Sequence, residues 1–210
     1  GKSELFEAAA STLGVKSLVR DLSLMEPPDL VGMPQVGKEG RTHYAAPDWL
    51  PAEGTAGLLV MEELNRCPRY MRGPCLQLLT ARQLNDYKLP PGWLPCAAIN
   101  PSEDGDYQVD ELDPALVSRF MQVRVVPDVE TWSDWARNGG GVHATVTNFV
   151  EQSPRIFDDP KSNPRAWSYA SDWLKACEKE EVLGELMATG LAGLVGDEWV
   201  EGKTLPEKTR

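Results

Sequence analysis

Gly57-Leu58-Leu59-Val60-Met61-Glu62-Glu63-Leu64 is the stretch on which the fold turns. An apolar run of this length, closing on two carboxylates, suits a strand buried on both faces, as inside a parallel sheet. In open α/β sheets ligands bind beyond the carboxyl ends of the strands, which is where Glu62 and Glu63 fall. Neighbouring residues on a strand point to opposite sides, so the two acids are not a facing glycosidase-like pair. They suit a division of labour in which one carboxylate holds Mg²⁺ and the next polarises a water. The plain alternative is an acidic strand end, solvated beside Asn65-Arg66.

On the N-terminal side, Gly1-Lys2-Ser3 precedes a helix over residues 3–13 on which Leu5, Phe6, Ala9 and Leu13 share a face, with Gly14 as its stop. Those three residues are what remains of G-x-x-x-x-G-K-[ST] when it is cut before its second glycine. In that motif backbone N–H groups and the helix N-terminus hold phosphates, the lysine reaches the β- and γ-phosphates, and the hydroxyl binds Mg²⁺. Three residues alone are a weak signal. Val15 to Leu24 reads as a strand, and Gly37-Lys38-Glu39-Gly40 as a turn between short extended pieces of the Pro- and Gly-rich segment 27–51.

On the C-terminal side a helix is expected from Arg69 to Arg82, with Met71, Cys75, Leu78 and Leu79 on one face. Gln83 to Leu89, the turn Pro90-Pro91-Gly92 and Trp93 onward read as a hairpin feeding a strand from Cys96 to Asn100. Residues 113–120 read as a short helix and Gln122 to Val126 as a further strand. Beyond Pro127 no strand candidate remains, and amphipathic helices are expected over 129–138, 142–152, 164–178 and 180–195. Strands alternating with helices, then helices alone, give an α/β domain over 1–127 and a small all-helical domain over 128–210. The polar residues Gly202 to Arg210 read as a frayed end.

Three more polar signals sit at element ends. In Ala97-Ala98-Ile99-Asn100-Pro101 an apolar strand ends in an amide able to bond a water or a phosphate, although an Asn before Pro also forms turns. In Leu116-Val117-Ser118-Arg119-Phe120 an arginine at a helix end, anchored by Phe120, has the chemistry of a finger that stabilises phosphoryl charge. Taken alone, such an arginine is more often a surface ion-pair residue. In Asn163-Pro164-Arg165, Asn163 caps, Pro164 opens, and Arg165 lies in the first turn of a helix.

Composition narrows the field. The 210 residues are 41% apolar and 25% charged, ordinary for a globular chain able to bury a core. The net charge of −11 repels phosphate backbones, which counts against non-specific nucleic-acid binding. No apolar run approaches the roughly 20 residues of a membrane span. Cys67, Cys75, Cys96 and Cys177 show no zinc spacing and read as buried reduced thiols, as in a reducing cytosol. His43 and His143 form no H-E-x-x-H, so a metalloprotease is excluded.

The order of these parts resembles the AAA+ ATPases of the MoxR type. The likeness runs from Gly1 to about Val195. Asp21-Leu22-Ser23-Leu24 with Pro27 to Pro34 resembles the family's segment after the second strand. Ala46-Pro47-Asp48-Trp49-Leu50-Pro51 resembles the lead into its Walker B strand, and Tyr87 to Trp93 the hairpin before its sensor 1. The resemblance implies a P-loop AAA+ core with a parallel sheet, followed by a helical lid. It makes Gly1, Lys2 and Ser3 the end of Walker A, Glu62 the Walker B Mg²⁺ ligand with Ser3, and Glu63 the catalytic carboxylate. Asn100 becomes sensor 1, Arg119 the finger acting on a neighbouring subunit, and Arg165 sensor 2. It implies ATP and Mg²⁺ as cofactors, a ring, usually hexameric, in the cytoplasm, and a protein client that often carries a von Willebrand A domain.

Two departures accompany it. Glu62 stands where the family has Asp, which lengthens the ligand by a methylene and is expected to reduce turnover. The first strand, central in the family's sheet, and the start of the phosphate loop are expected to lie outside the chain, leaving unpaired edges and weak or no ATP binding. The competing reading is a non-catalytic nucleotide-binding ring scaffold. A nucleic-acid motor is a third, and the acidic balance counts against it.

Overall fold

A computed structural model describes residues 2–100, 112–159, 161–182 and 184–201. Gly1 and the tail from Gly202 to Arg210, both read above, lie outside the described residues. The chain divides into two compact units, Gly1–Val123 and Arg124–Arg210.

The first unit is built on three parallel strands, β1 (Lys16–Asp21), β4 (Gly57–Glu62) and β7 (Trp93–Ala97), in the order β1-β4-β7. The continuous apolar run became the middle strand. Lys16 pairs with Gly57, and Gly57 with Trp93. Gly57 is required there, since an added Cβ would lie 2.5 Å from the Lys16 carbonyl oxygen and 2.8 Å from the Trp93 ring. Alternation along β4 serves two cores. Leu58 and Val60 meet α1 (Lys2–Leu13) through Phe6 and Ala10. Leu59 and Met61 face the opposite layer, where α3 (Arg69–Leu76) supplies Met71 and Cys75. Leu59, Val60 and Met61 are fully buried, each contributing roughly 1.5–3 kcal/mol.

Helix α1 turns directly into β1. Gly14, in the left-handed region at φ +66°, and a bond from Val15 N–H to the Ala10 carbonyl (3.0 Å) make the reversal. The expected apolar face is corrected. Leu5 and Leu13 are exposed, and the helix rests on the sheet through the i, i+4 pair Phe6 and Ala10. After β1 come a 3₁₀ turn (Leu22–Leu24), α2 (Pro27–Val31), and an antiparallel hairpin of β2 (Met33–Val36) and β3 (Thr42–Ala45) around the expected turn. Helix α3 carries Pro74, which cannot donate to the preceding turn. The helical path continues to Ala81 as a wider π turn and stops at Arg82, φ +56°.

Two strand readings are corrected. The hairpin after the helix is β5 (Gln83–Leu84) with β6 (Tyr87–Lys88), turning at Asn85-Asp86 rather than at Pro90-Pro91-Gly92. Asn85 takes the left-handed conformation, φ +50°, that such a turn needs. Gln122 to Val126 is not a strand. It follows α4 (Pro114–Val117) as exposed chain without regular secondary structure. Among the described residues nothing pairs with the outer edge of β7, so a further strand has no ladder to join. The sheet itself has no internal gap, since β7 pairs directly with β4.

The second unit is helical: α5 (Val129–Asn138), α6 (Ala144–Glu151), α7 (Pro164–Lys179), α8 (Glu185–Val195) and α9 (Asp197–Glu201). Side-chain caps set two of its helix starts, one of them, Asn163, expected from the sequence. Asp128 accepts from Thr131 N–H (2.7 Å), and that bond holds its carboxyl below the usual range. Asn163 accepts from Ala166 N–H (3.1 Å) with Pro164 next. Trp132, Val146, Val150, Trp167 and Leu191 form its core.

Cys67, Cys75 and Cys177 are buried free thiols and Cys96 is half-buried. A hydrogen bond from Cys75, with Arg72 nearby, holds the Cys67 thiol down at about 7 despite burial, and pushes Cys75 up. Among the described residues no cluster of His, Cys, Asp and Glu could hold a metal by itself, and no helix is long and apolar enough to cross a membrane.

These assignments give opposite expectations for two substitutions. Leu59→Ala should cost about 2–5 kcal/mol in urea unfolding. Val123→Asp, at a residue 72% exposed, should stay within about 0.5 kcal/mol of wild type. A loss at Val123 as large as at Leu59 would restore the strand at 122–126.

Candidate functional site

Because all three strands run parallel, the ends of β4 and β7 open on the same edge of the sheet. Helix α1 returns antiparallel into β1, so its first turn, with Lys2 and Ser3, reaches that same edge. Five of the side chains singled out in the sequence meet there.

Ser3 Oγ donates to Glu62 Oε1 at 2.5 Å. The Lys2 ammonium donates to the Asn100 carboxamide oxygen. Asn100 Nδ2 in turn donates to both oxygens of Glu63, at 3.0 and 2.9 Å. Lys2, Asn100 and Glu63 therefore form one hydrogen-bonded chain across residues 98 positions apart in sequence. Asn100 is buried, while Lys2, Ser3, Glu62 and Glu63 are half-buried.

Glu63 is the residue at which the strand turns away. Its φ of +55° is left-handed and uncommon for a side chain of this size. Strain of this kind costs on the order of 1–3 kcal/mol and persists where the surroundings over-determine it. Here they do. Asn100 holds the carboxylate from one side, Arg66 Nη1 approaches Glu63 Oε2 at 3.3 Å from the other, and the Glu63 carbonyl accepts from Cys67 N–H at 3.0 Å.

Asn65 is a site residue that the sequence reading passed over. It is 3% exposed, its Nδ2 donates to the Asn100 carbonyl (2.7 Å) and its Oδ1 accepts from Asn100 N–H (3.3 Å). Arg72 Nη2 donates to the main-chain oxygens of Asn65 and Cys67, both at 3.3 Å. The available signal was an amide placed straight after a buried strand, where it opens no helix.

Arg119 is an exposed residue just after α4 in the first unit. Arg165 is an exposed residue in the first turn of α7, in the second unit. Gly1 lies outside the described residues.

The donor chemistry suits a hard cation with a polyphosphate. Ser3 and Glu62 offer a hydroxyl and a carboxylate already in contact, an all-oxygen pair of the kind Mg²⁺ takes while keeping waters and phosphate oxygens. Lys2 and the N–H groups of the first turn of α1 add positive character at the same place.

No family model matches the chain, and no curated protein matches it. Solved structures do. A point mutant of RuvB from Thermotoga maritima is similar with a TM-score of 0.53 at 14% identity, over 96% of this chain and 57% of RuvB. NtrX from Brucella abortus, in complex with ADP, has a TM-score of 0.49 at 15% identity, over 99% of this chain and 49% of NtrX. The chain thus spans about half the length of these proteins. The fold is α/β, a parallel three-stranded sheet with helices followed by a helical part, and the likeness to RuvB extends over nearly all of it.

Proposed function

We propose that this chain forms the greater part of the ATP-binding and ATP-hydrolysing core of an AAA+ ATPase of the MoxR type, working in a ring, hexameric as its resemblance implies, that remodels a protein partner. The observation that carries the reading is the Lys2–Asn100–Glu63 chain beside the Ser3–Glu62 pair, at the carboxyl edge of a parallel sheet. An ammonium, a hydroxyl, two carboxylates and an amide converging there are the groups that phosphoryl transfer to water requires.

Each side chain has a task that follows from its position. Lys2, on the first turn of α1, binds β- and γ-phosphate oxygens by exchanging its bond to Asn100 Oδ1 for one to phosphate. Ser3 Oγ and Glu62 would hold Mg²⁺. The ion, when bound, neutralises charge on the phosphate oxygens. Glu63 orients the attacking water and accepts its proton at the carboxylate. Asn100 Nδ2 keeps that carboxylate aimed and, once Lys2 has left, its Oδ1 is an acceptor for the same water. Arg119, exposed after α4, serves the site of a neighbouring subunit, and Arg165 acts as the lid's phosphate sensor. The client is a protein, with a von Willebrand A domain the partner that the family resemblance favours.

Glu63→Gln preserves an acceptor for Asn100 but cannot take a proton. It should bind ATP as wild type does and lose about 10²–10⁴-fold in turnover. Unchanged turnover would remove Glu63 from the chemistry. If wild type binds ATP without turning it over, the non-catalytic ring scaffold replaces the enzyme.

Sharing of sites between subunits has its own test. Turnover per chain should rise with protein concentration, and Arg119→Ala should bind ATP normally while losing about 10³-fold in turnover. A concentration-independent rate, unaltered in Arg119→Ala, would leave a self-contained site.

A further inference from the structure

The β4–β7 ladder runs past the ends of both strands. Ala98 N–H donates to the Met61 carbonyl at 2.8 Å, and Leu64 N–H donates to the Ala98 carbonyl at 3.2 Å. Two residues further, Asn100 presents an N–H and a C=O toward where β4 would have continued. It has not continued, because Glu63 at φ +55° has turned the backbone out of the sheet. The Asn65 carboxamide lies in that place, with Nδ2 on the Asn100 oxygen at 2.7 Å and Oδ1 on the Asn100 N–H at 3.3 Å. A side-chain amide here substitutes for the missing peptide unit of the strand.

We propose that Asn65 is a positioning residue, whose amide clamps the main chain of Asn100 and so sets the aim of the Asn100 carboxamide at Glu63. The inference rests on the nucleotide-hydrolysing reading for its consequence, though not for its geometry. A donor and an acceptor side by side are needed, and at this chain length only asparagine carries both. Its own position is set from the helix side, where Arg72 bonds the Asn65 and Cys67 carbonyls. The path is contiguous: α3 holds the turn after β4, the turn holds residue 100, and residue 100 holds the carboxylate. Asn65 touches neither Lys2 nor Glu63 in any bond of this path, so its loss should spare nucleotide binding and degrade the chemical step.

The test is the full chain, ¹⁵N-labelled, with the Asn100 side-chain amide signals identified by their loss in Asn100→Ala. In wild type those signals should be exchange-protected by the two bonds to Glu63. In Asn65→Ala the protection should disappear while the carboxamide signals of Asn148, in the second unit, stay unchanged. Turnover should fall by about a hundredfold, as expected when a catalytic group is misplaced, with the ATP dissociation constant unaltered. Asn100 signals that keep wild-type protection in Asn65→Ala would overturn the proposal, whatever happens to turnover. Lost protection in a protein whose wild type does not hydrolyse ATP would support the clamp and overturn the hydrolase reading, so the two failures are distinct.

Asn65→Asp serves where the alanine variant does not fold. Ionised, it still accepts from Asn100 N–H but has no hydrogen for the Asn100 carbonyl. Protonated, it has one. Protection of the Asn100 amide relative to wild type should therefore recover as pH falls. A ratio that is flat with pH would overturn the two-point clamp, since simple loosening of the fold gives no recovery in acid.

Discussion

Parallel pairing of one apolar strand with a neighbour on each side is the constraint from which the rest of the first unit follows. β4 is buried on both faces, so each face needs its own layer, and α1 and α3 supply them. Side-chain period along a strand is two, so a one-residue slip would exchange Leu58 and Val60 with Leu59 and Met61. The contact of Gly57 with the Lys16 carbonyl and the Trp93 ring blocks such a slip at the start of the strand. With the register held there, the position of Glu62 relative to Asp21 and Ala97 is no longer adjustable. The polar groups at the strand ends inherit their geometry from packing at the other end of β4.

How much of this could be read beforehand depended on whether the signal was local. The β4 strand was legible because burial on both faces writes an uninterrupted apolar run. The helices of the second unit were legible from their amphipathic pattern, and one of them also from its cap, Asn163, whereas the Asp128 cap went unread. The segment 122–126 reads as a strand just as well by composition, yet a strand exists only where a ladder receives it, and β7 pairs on one side alone among the described residues. The face of α1 failed for a related reason. Leu5, Phe6, Ala9 and Leu13 are spaced correctly for a helix, but of these only Phe6 packs on the sheet, together with Ala10. The turn at Asn85-Asp86 lacks a glycine, whereas Pro90-Pro91-Gly92 has the stronger local signature and turns without making the hairpin.

The site divides along the same line. Which residue types stand at which strand ends was visible, since each ends an apolar run. Which of them touch was not. The bond between Lys2 and Asn100 spans 98 positions, and nothing near either residue announces the other. Asn65 was hidden differently: its role is to replace a stretch of backbone, and that need appears only once Glu63 is seen to leave the sheet.

Strain at Glu63 and the bonds around it belong to one device. The left-handed turn costs on the order of 1–3 kcal/mol. Hydrogen bonds to a charged group are worth about 1.5–3 kcal/mol each, so the two from Asn100 Nδ2 are sufficient to offset it. The turn that aims the carboxylate also ends the ladder, and ending the ladder strands the main chain of Asn100. Asn65 answers that second need and thereby fixes the amide that answers the first. Lys2 is the one member of the cluster whose bond to Asn100 carries none of this load. It can exchange that bond for one to an anion while Glu63, Asn100 and Asn65 keep their arrangement. A site built this way keeps the Glu63 carboxylate oriented whether or not the lysine is engaged, so its aim is fixed before any ligand arrives.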